Sequence, residues 1–302
     1  MTDPARGGFQ ADITTKENRK VAYSFFYLCH NIGFSFGPAI AGFLFAKYTN
    51  FIFYGNALTE IITISLIGLF VADHRPTQQA LEESKKGSET DKAVEGSLLQ
   101  AMKARPLIVL YIAIDFLTVV SFSSLFFALP LYTSQLFGDA GSTKYGFLMT
   151  ANAITVIILT PLFTQMTKHH QPIILLTLAS FFTAMGIFNL GFIHHYFGII
   201  ILMIIYSVGE VLHATNHEYF VINHTPMGHR ARFSSLLITE EVLGFALGVL
   251  LCGLLIDTIG FQLMYFCLGS LPFIASIGLF LLRKALKEQE TTSDKDQSSI
   301  EA

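Results

Sequence analysis

The sequence predicts an all-α polytopic membrane protein of about eight transmembrane helices. Three observations predict it. The 302 residues are 52% hydrophobic with a mean hydropathy of +0.53. Only 14% are charged, against about 25% in soluble domains. Apolar runs of about 20 residues, the length that crosses a bilayer, recur along the chain. No single globular core could hide that much apolar surface; a bilayer accommodates it. The net charge of −3 leaves no footprint for nucleic acid. Cys29, Cys252 and Cys267 all lie in apolar runs without CxxC spacing. They read as small packing residues rather than a disulfide framework or zinc ribbon.

The elements follow in order. Residues 1–20 contain no long apolar segment, so they do not form a signal peptide and read as a cytoplasmic loop beginning at an internal Met. Apolar runs then cover 21–46 and 51–71. A polar stretch with charge runs, within 72–105, reads as a flexible solvated linker. Six further runs follow, at 107–133, 145–166, 172–193, 197–221, 233–256 and 262–282. The hydrophilic residues 287–302 read as a disordered tail.

Charge placement sets the orientation. With eight spans, all 19 Lys and Arg residues except Lys47 and Lys144 fall on the side of the N-terminus. That side is therefore cytoplasmic, as is the C-terminus. A missed or invented span would scramble this alternation. Tyr48, Tyr54, Tyr132, Tyr145 and Tyr196 lie near span ends on the opposite side and suit an interfacial belt in a chain without Trp.

The first run carries "HNIGFSFGPAIAGFL", with Gly33, Gly37 and Gly42 and with Pro38 directly after the second glycine. Small residues let helices approach closely in lipid, where apolar burial gives little driving force. Proline removes one backbone hydrogen bond and bends the helix. The bland reading is a generic packing face; the sharper one is a pliable hinge between moving helices. Gly33-x-x-x-Gly37-Pro38-x-x-Ala41-Gly42 resembles the GxxxGPxxGG motif in the fifth helix of the major facilitator superfamily, associated with proton-coupled antiporters and multidrug exporters. Ala41 departs from the motif by one methyl group.

That resemblance implies a major facilitator fold, truncated to helices five to twelve. Residues 1–71 would be a remnant of the N-terminal half (helices five and six), 72–105 the central cytoplasmic loop, and 106–286 the C-terminal six-helix half. The family's GxxxDRxGRR motif would then lie in the absent helices. Family members rock two six-helix halves around a central cavity.

Intramembrane carboxylates are costly, about 2.5–3.5 kcal/mol at a helix centre on insertion scales, and usually face a cavity or a partner. Asp115 lies roughly 12 Å into its helix at the helical rise. It reads as a proton- or cation-binding group, or as a structural hydrogen-bonding Asp. Ser207, Glu210, His213 and His217 share one helix face and could relay protons. His213 and His217 also have metal-ligand spacing, but no third ligand is evident, and no metal is expected. Glu240 and Glu241 point in different directions, so at most one should face a cavity; Glu241 is taken as the coupling candidate. Either could instead pair with Arg230 or Arg232. Gly244, Gly248 and Gly253 offer a second close-packing face. Glu60, with Asn56 and Thr63, reads as structural. His30, Phe122 and Phe126 are substrate-cavity candidates, with Tyr132 a weaker one.

The functional expectation is a major facilitator transporter performing proton-coupled efflux of small amphipathic compounds, as in multidrug resistance. Sodium is the alternative coupling ion. Rival readings are nutrient or organic-anion uptake by the same fold, or a non-transporting truncated fragment. No nucleophile–base pair, phosphate-binding glycine loop or complete metal set marks an enzyme, and no cofactor is expected. The expected partners are the lipid bilayer, protons and a small-molecule substrate. The expected form is a monomer in the cell membrane.

Overall fold

The computed structural model describes residues 13–15, 18–45, 49–70, 102–103, 105–225 and 229–300, with side chains described except at 34–45, 49, 70, 231 and 287–300. The described residues are almost entirely helical and contain no strand. Helix α1 spans Arg19–Phe45 and α2 Thr49–Phe70. Helix α3 (Pro106–Phe137) joins α4 (Gly141–Met166) through a single 3-10 turn, Gly138–Ala140. Helices α5 (Pro172–Leu190) and α6 (Tyr196–Asn223) follow, then α7 (Arg230–Ile300). Pro106 and Pro172 occupy the first turns of α3 and α5, where a missing N–H costs nothing.

Among the described residues five apolar helical stretches are long enough to cross a membrane, and two of them, Pro106–Met166 and Arg232–Leu286, contain 61 and 55 residues. At about 1.5 Å per residue the longer would extend roughly 90 Å, about three times the hydrocarbon thickness. Each is broken near its middle. Gly138 has φ 56° and ends α3, and Gly260 has φ 78° and ψ 171° within α7. Only glycine takes the latter conformation readily. The break falls in the gap expected between 256 and 262. By contrast, the polar tail expected to be disordered continues α7 helically to Ile300. Lys287, Glu288, Gln289 and Glu290 are good helix formers, and no Gly or Pro interrupts the tail.

Helices α3, α5, α6 and α7 form the packed bundle, with α4 against α6 and α3, and α1 against α4 and α6. The first arm of α7 lies on α3: a side chain at Gly244 or Gly248 would strike Val119, Val120 or Ser123. Gly253 faces open space, so that packing face is shorter than the glycine spacing implied. Among the described residues, two of the four buried apolar clusters are large. One surrounds Leu125, Leu148, Ile187 and Tyr265; the other surrounds Tyr111, Phe220, Phe233 and Leu279. Leu250, Ile277, Phe280 and many other apolar side chains point outward, as lipid-facing residues do.

Among the described residues helix α2 packs mainly on α1, and Glu60 is exposed. Helix α1 is fastened at its basic end. The Arg19 guanidinium bonds to Asn223 Oδ1 at the end of α6, and Lys20 Nζ donates to Thr167 O (2.8 Å) and Thr167 Oγ1 (2.9 Å) beside α4. Burial lowers the Lys20 ammonium to about 8.

Candidate functional site: a carboxylate–histidine cluster in the bundle cavity

Between the two cores lies a cavity of about 330 Å³, lined from α1, α3, α5, α6 and α7. Helix α6 supplies its polar wall through Glu210, His213 and His217, which share a face with the buried Ser207. Gly209 lets that wall sit close to α5: a Cβ there would come within 2.6 Å of Thr183 Oγ1 and 2.7 Å of the Ala179 carbonyl oxygen.

Glu210 is held at both oxygens. Asn152 Nδ2, from α4, donates to Oε2 at 2.6 Å, and Tyr27 Oη, from α1, donates to Oε1 at 3.1 Å. Asn152 also donates to Ser207 Oγ at 2.9 Å. One carboxylate therefore ties α1 to α4 and α6. Neither Tyr27 nor Asn152 was singled out in the sequence. The available signal was a polar residue within an apolar run, a weak one.

One turn along α6 is a second cluster. Asp115 of α3 is fully buried, and its Oδ2 lies 2.8 Å from His213 Nε2 and 3.1 Å from His217 Nδ1. The two imidazoles stack with centroids 4.6 Å apart. Tyr111 Oη lies 2.7 Å from His217 Nδ1. The sequence offered no third ligand beside the histidine pair; the fold supplies Asp115. One ligand atom from each of these three residues lies within 4.8 Å of the others, close enough for one metal ion.

The α7 carboxylates divide differently from expectation. Both line the cavity, yet Glu240 is buried and Glu241 exposed. Among the described residues neither Glu240 oxygen has a hydrogen-bond partner, so the alternative pairing of Glu240 with Arg230 or Arg232 does not form. Helical phase explains the result, since Glu240 lies three residues after buried Leu237 and four before Gly244 on the α3-facing side.

The aromatic candidates separate as well. His30 and Phe122 line the cavity, and Phe26 joins them. Phe126 stands behind Phe122, ring centroids 5.0 Å apart, and does not line it. Tyr132 is far off, 3.0 Å from His194 Nδ1 at the opposite end of the bundle. A Cβ on Gly33 would meet nothing within 4 Å. The side-chain surroundings of Gly37, Pro38 and Gly42 lie outside the described residues, although the α1 backbone runs through them as helix.

The family model of the major facilitator superfamily matches residues 1–239. The chain belongs to the major facilitator superfamily. Its relatives are transporters rather than enzymes. It is 24% identical over its whole length to an uncharacterised MFS-type transporter, YqjV, of Bacillus subtilis, covering 72% of that protein. It is 23% identical over 76% of its length to a Na⁺, Li⁺, K⁺/H⁺ antiporter of Planococcus maritimus, spanning 58% of it. Among solved structures it resembles the human organic anion transporter MFSD10, with a TM-score of 0.69 and 16% identity, covering 91% of this chain and 67% of that one. That likeness concerns the fold.

Proposed function

We propose that this superfamily member is a proton-coupled antiporter exporting small amphipathic compounds, with Glu210 as its proton-accepting group. The observation carrying this reading is the double hold on Glu210 by Tyr27 of α1 and Asn152 of α4. An ionised carboxylate accepts both bonds. A proton on either oxygen turns that oxygen into a donor and removes one acceptor site. The tie between α1 and the six-helix bundle then loosens, and the two parts rock, closing one face of the cavity and opening the other. The other titratable groups facing Glu210 are Tyr27, Tyr206 and His213. Phe26, Phe122 and Val119 accept the apolar body of a substrate, and the more exposed Glu241 its polar or cationic head.

In this reading the basic end of the bundle faces the cytoplasm of a cell-membrane monomer. Residues 1–71 belong to one half of the transporter and 106–286 to the other, with 72–105 between them. The carboxylate-rich lining favours one second reading, exchange of an alkali cation for protons, the activity named for the Planococcus relative.

Inside-out vesicles holding the protein and an acidified lumen separate the two. A pH-gradient dye should report proton efflux on addition of amphipathic organic cations. Efflux with Na⁺, Li⁺ or K⁺ alone would establish the second reading. Silence with both refutes proton coupling, and proton movement of opposite sign would indicate uptake.

A further inference from the structure

We propose that Asp115, His213 and His217 bind a divalent transition-metal ion of the zinc, nickel or cobalt type, with Glu240 balancing its charge. The proposal stands independently of proton coupling. Imidazole nitrogens with one carboxylate form the donor set that these borderline ions prefer, whereas magnesium and the alkali ions favour all-oxygen sites. The ligand atoms are nearly in place. Tetrahedral ligands at about 2.0–2.1 Å from zinc lie roughly 3.3 Å apart. His213 Nε2 and His217 Nδ1 lie 2.8 and 3.1 Å from Asp115 Oδ2. Accepting an ion thus requires each imidazole to part from Asp115 by a few tenths of an ångström, and the Tyr111 hydroxyl, 2.7 Å from His217 Nδ1, to turn aside. The i, i+4 spacing on α6 and the stacking of the rings aim both imidazoles at the same carboxylate.

A self-contained hydrogen-bonded cluster would leave no polar atom over. This one does. Among the described residues Asp115 Oδ1 is buried without a partner, and Glu240, 6% exposed, has neither oxygen partnered. Two buried carboxylates with three unused oxygens call for positive charge, and one divalent ion matches their formal charge. His213, His217 and Glu240 line the cavity, so an ion has a route in.

The test uses the purified full chain in detergent, stripped of metal and of any histidine tag. Calorimetric titration with Zn²⁺ or Ni²⁺ should show one ion per chain, undisturbed by Mg²⁺ or Na⁺ in large excess. Co²⁺ should give the visible absorption of a low-coordinate nitrogen–oxygen site. Asp115→Asn and His217→Gln, which preserve size and hydrogen bonding, should each weaken binding by at least the roughly 10–100-fold seen for lost supporting residues around metals. His169→Gln with His170→Gln, altering an exposed pair, should leave it unchanged. Absence of stoichiometric binding by wild type would overturn the proposal. So would binding that survives Asp115→Asn and His217→Gln, or that Mg²⁺ displaces. If Asp115→Asn fails to fold, His217→Gln decides alone.

Discussion

Tyr27→Phe removes one hydroxyl and leaves the ring. In the structure that hydroxyl donates to Glu210 Oε1 at 3.1 Å and is the bond from α1 to this carboxylate. Hydrogen bonds to a charged group contribute about 1.5–3 kcal/mol. A bond made in one conformation only shifts the equilibrium by its full value, so its loss changes the ratio of the two orientations by roughly 10- to 150-fold. The assay is alkylation of a cysteine placed at Thr183, which lines the cavity, by a membrane-impermeant maleimide in inside-out vesicles. Where the reagent reaches the cavity through the minor orientation, its rate follows that orientation's population. Tyr27→Phe should change the rate by at least the lower bound, and Asn152→Ala should change it in the same direction. Rates within twofold of the parent for both variants would refute the idea that Glu210 ties α1 to the bundle.

Three further outcomes follow from local geometry. Gly209→Ala puts a Cβ 2.6 Å from Thr183 Oγ1 and 2.7 Å from the Ala179 carbonyl oxygen; overpacking of this kind costs about 1–3 kcal/mol, and the detergent melting temperature should fall. Gly33→Ala, whose Cβ would meet no described atom within 4 Å, removes a helix-interior glycine and should melt no lower than wild type. Lys20 is held at about 8 when folded and near 10.4 when unfolded, so burying its charge costs stability fully below pH 8. That cost fades as pH rises from about 8 to 10.5 and the unfolded state also loses its proton. Wild type should therefore gain stability relative to Lys20→Met across this window, read as the difference between the two melting curves; a constant difference would contradict the burial argument.

The architecture was legible because each span is a long apolar run bounded by charge or by a glycine break, as at Gly138 and Gly260. The α6 stripe was legible for the same reason: Ser207, Glu210, His213 and His217 lie within three turns of one helix. Partners distant in sequence were not. Asp115 meets His213 across 98 positions, and Tyr27 meets Glu210 across 183. Helical periodicity carries no information on which helices adjoin. Glu240 and Glu241 differ by one residue, about 100° around a helix, and only the neighbouring α3 decides which is buried. Phe122 and Phe126 share a face, yet the ring nearer the middle of the bundle takes the cavity wall.

The central claim is that Glu210 couples proton movement to substrate movement. Glu210→Gln retains the shape and an acceptor for Asn152 or Tyr27 but has no titrating oxygen. Substrate counterflow, which exchanges substrate for substrate without net proton movement, should persist in vesicles containing this variant, while substrate-induced proton efflux disappears. A variant that still moves protons with substrate at the wild-type rate would contradict the account.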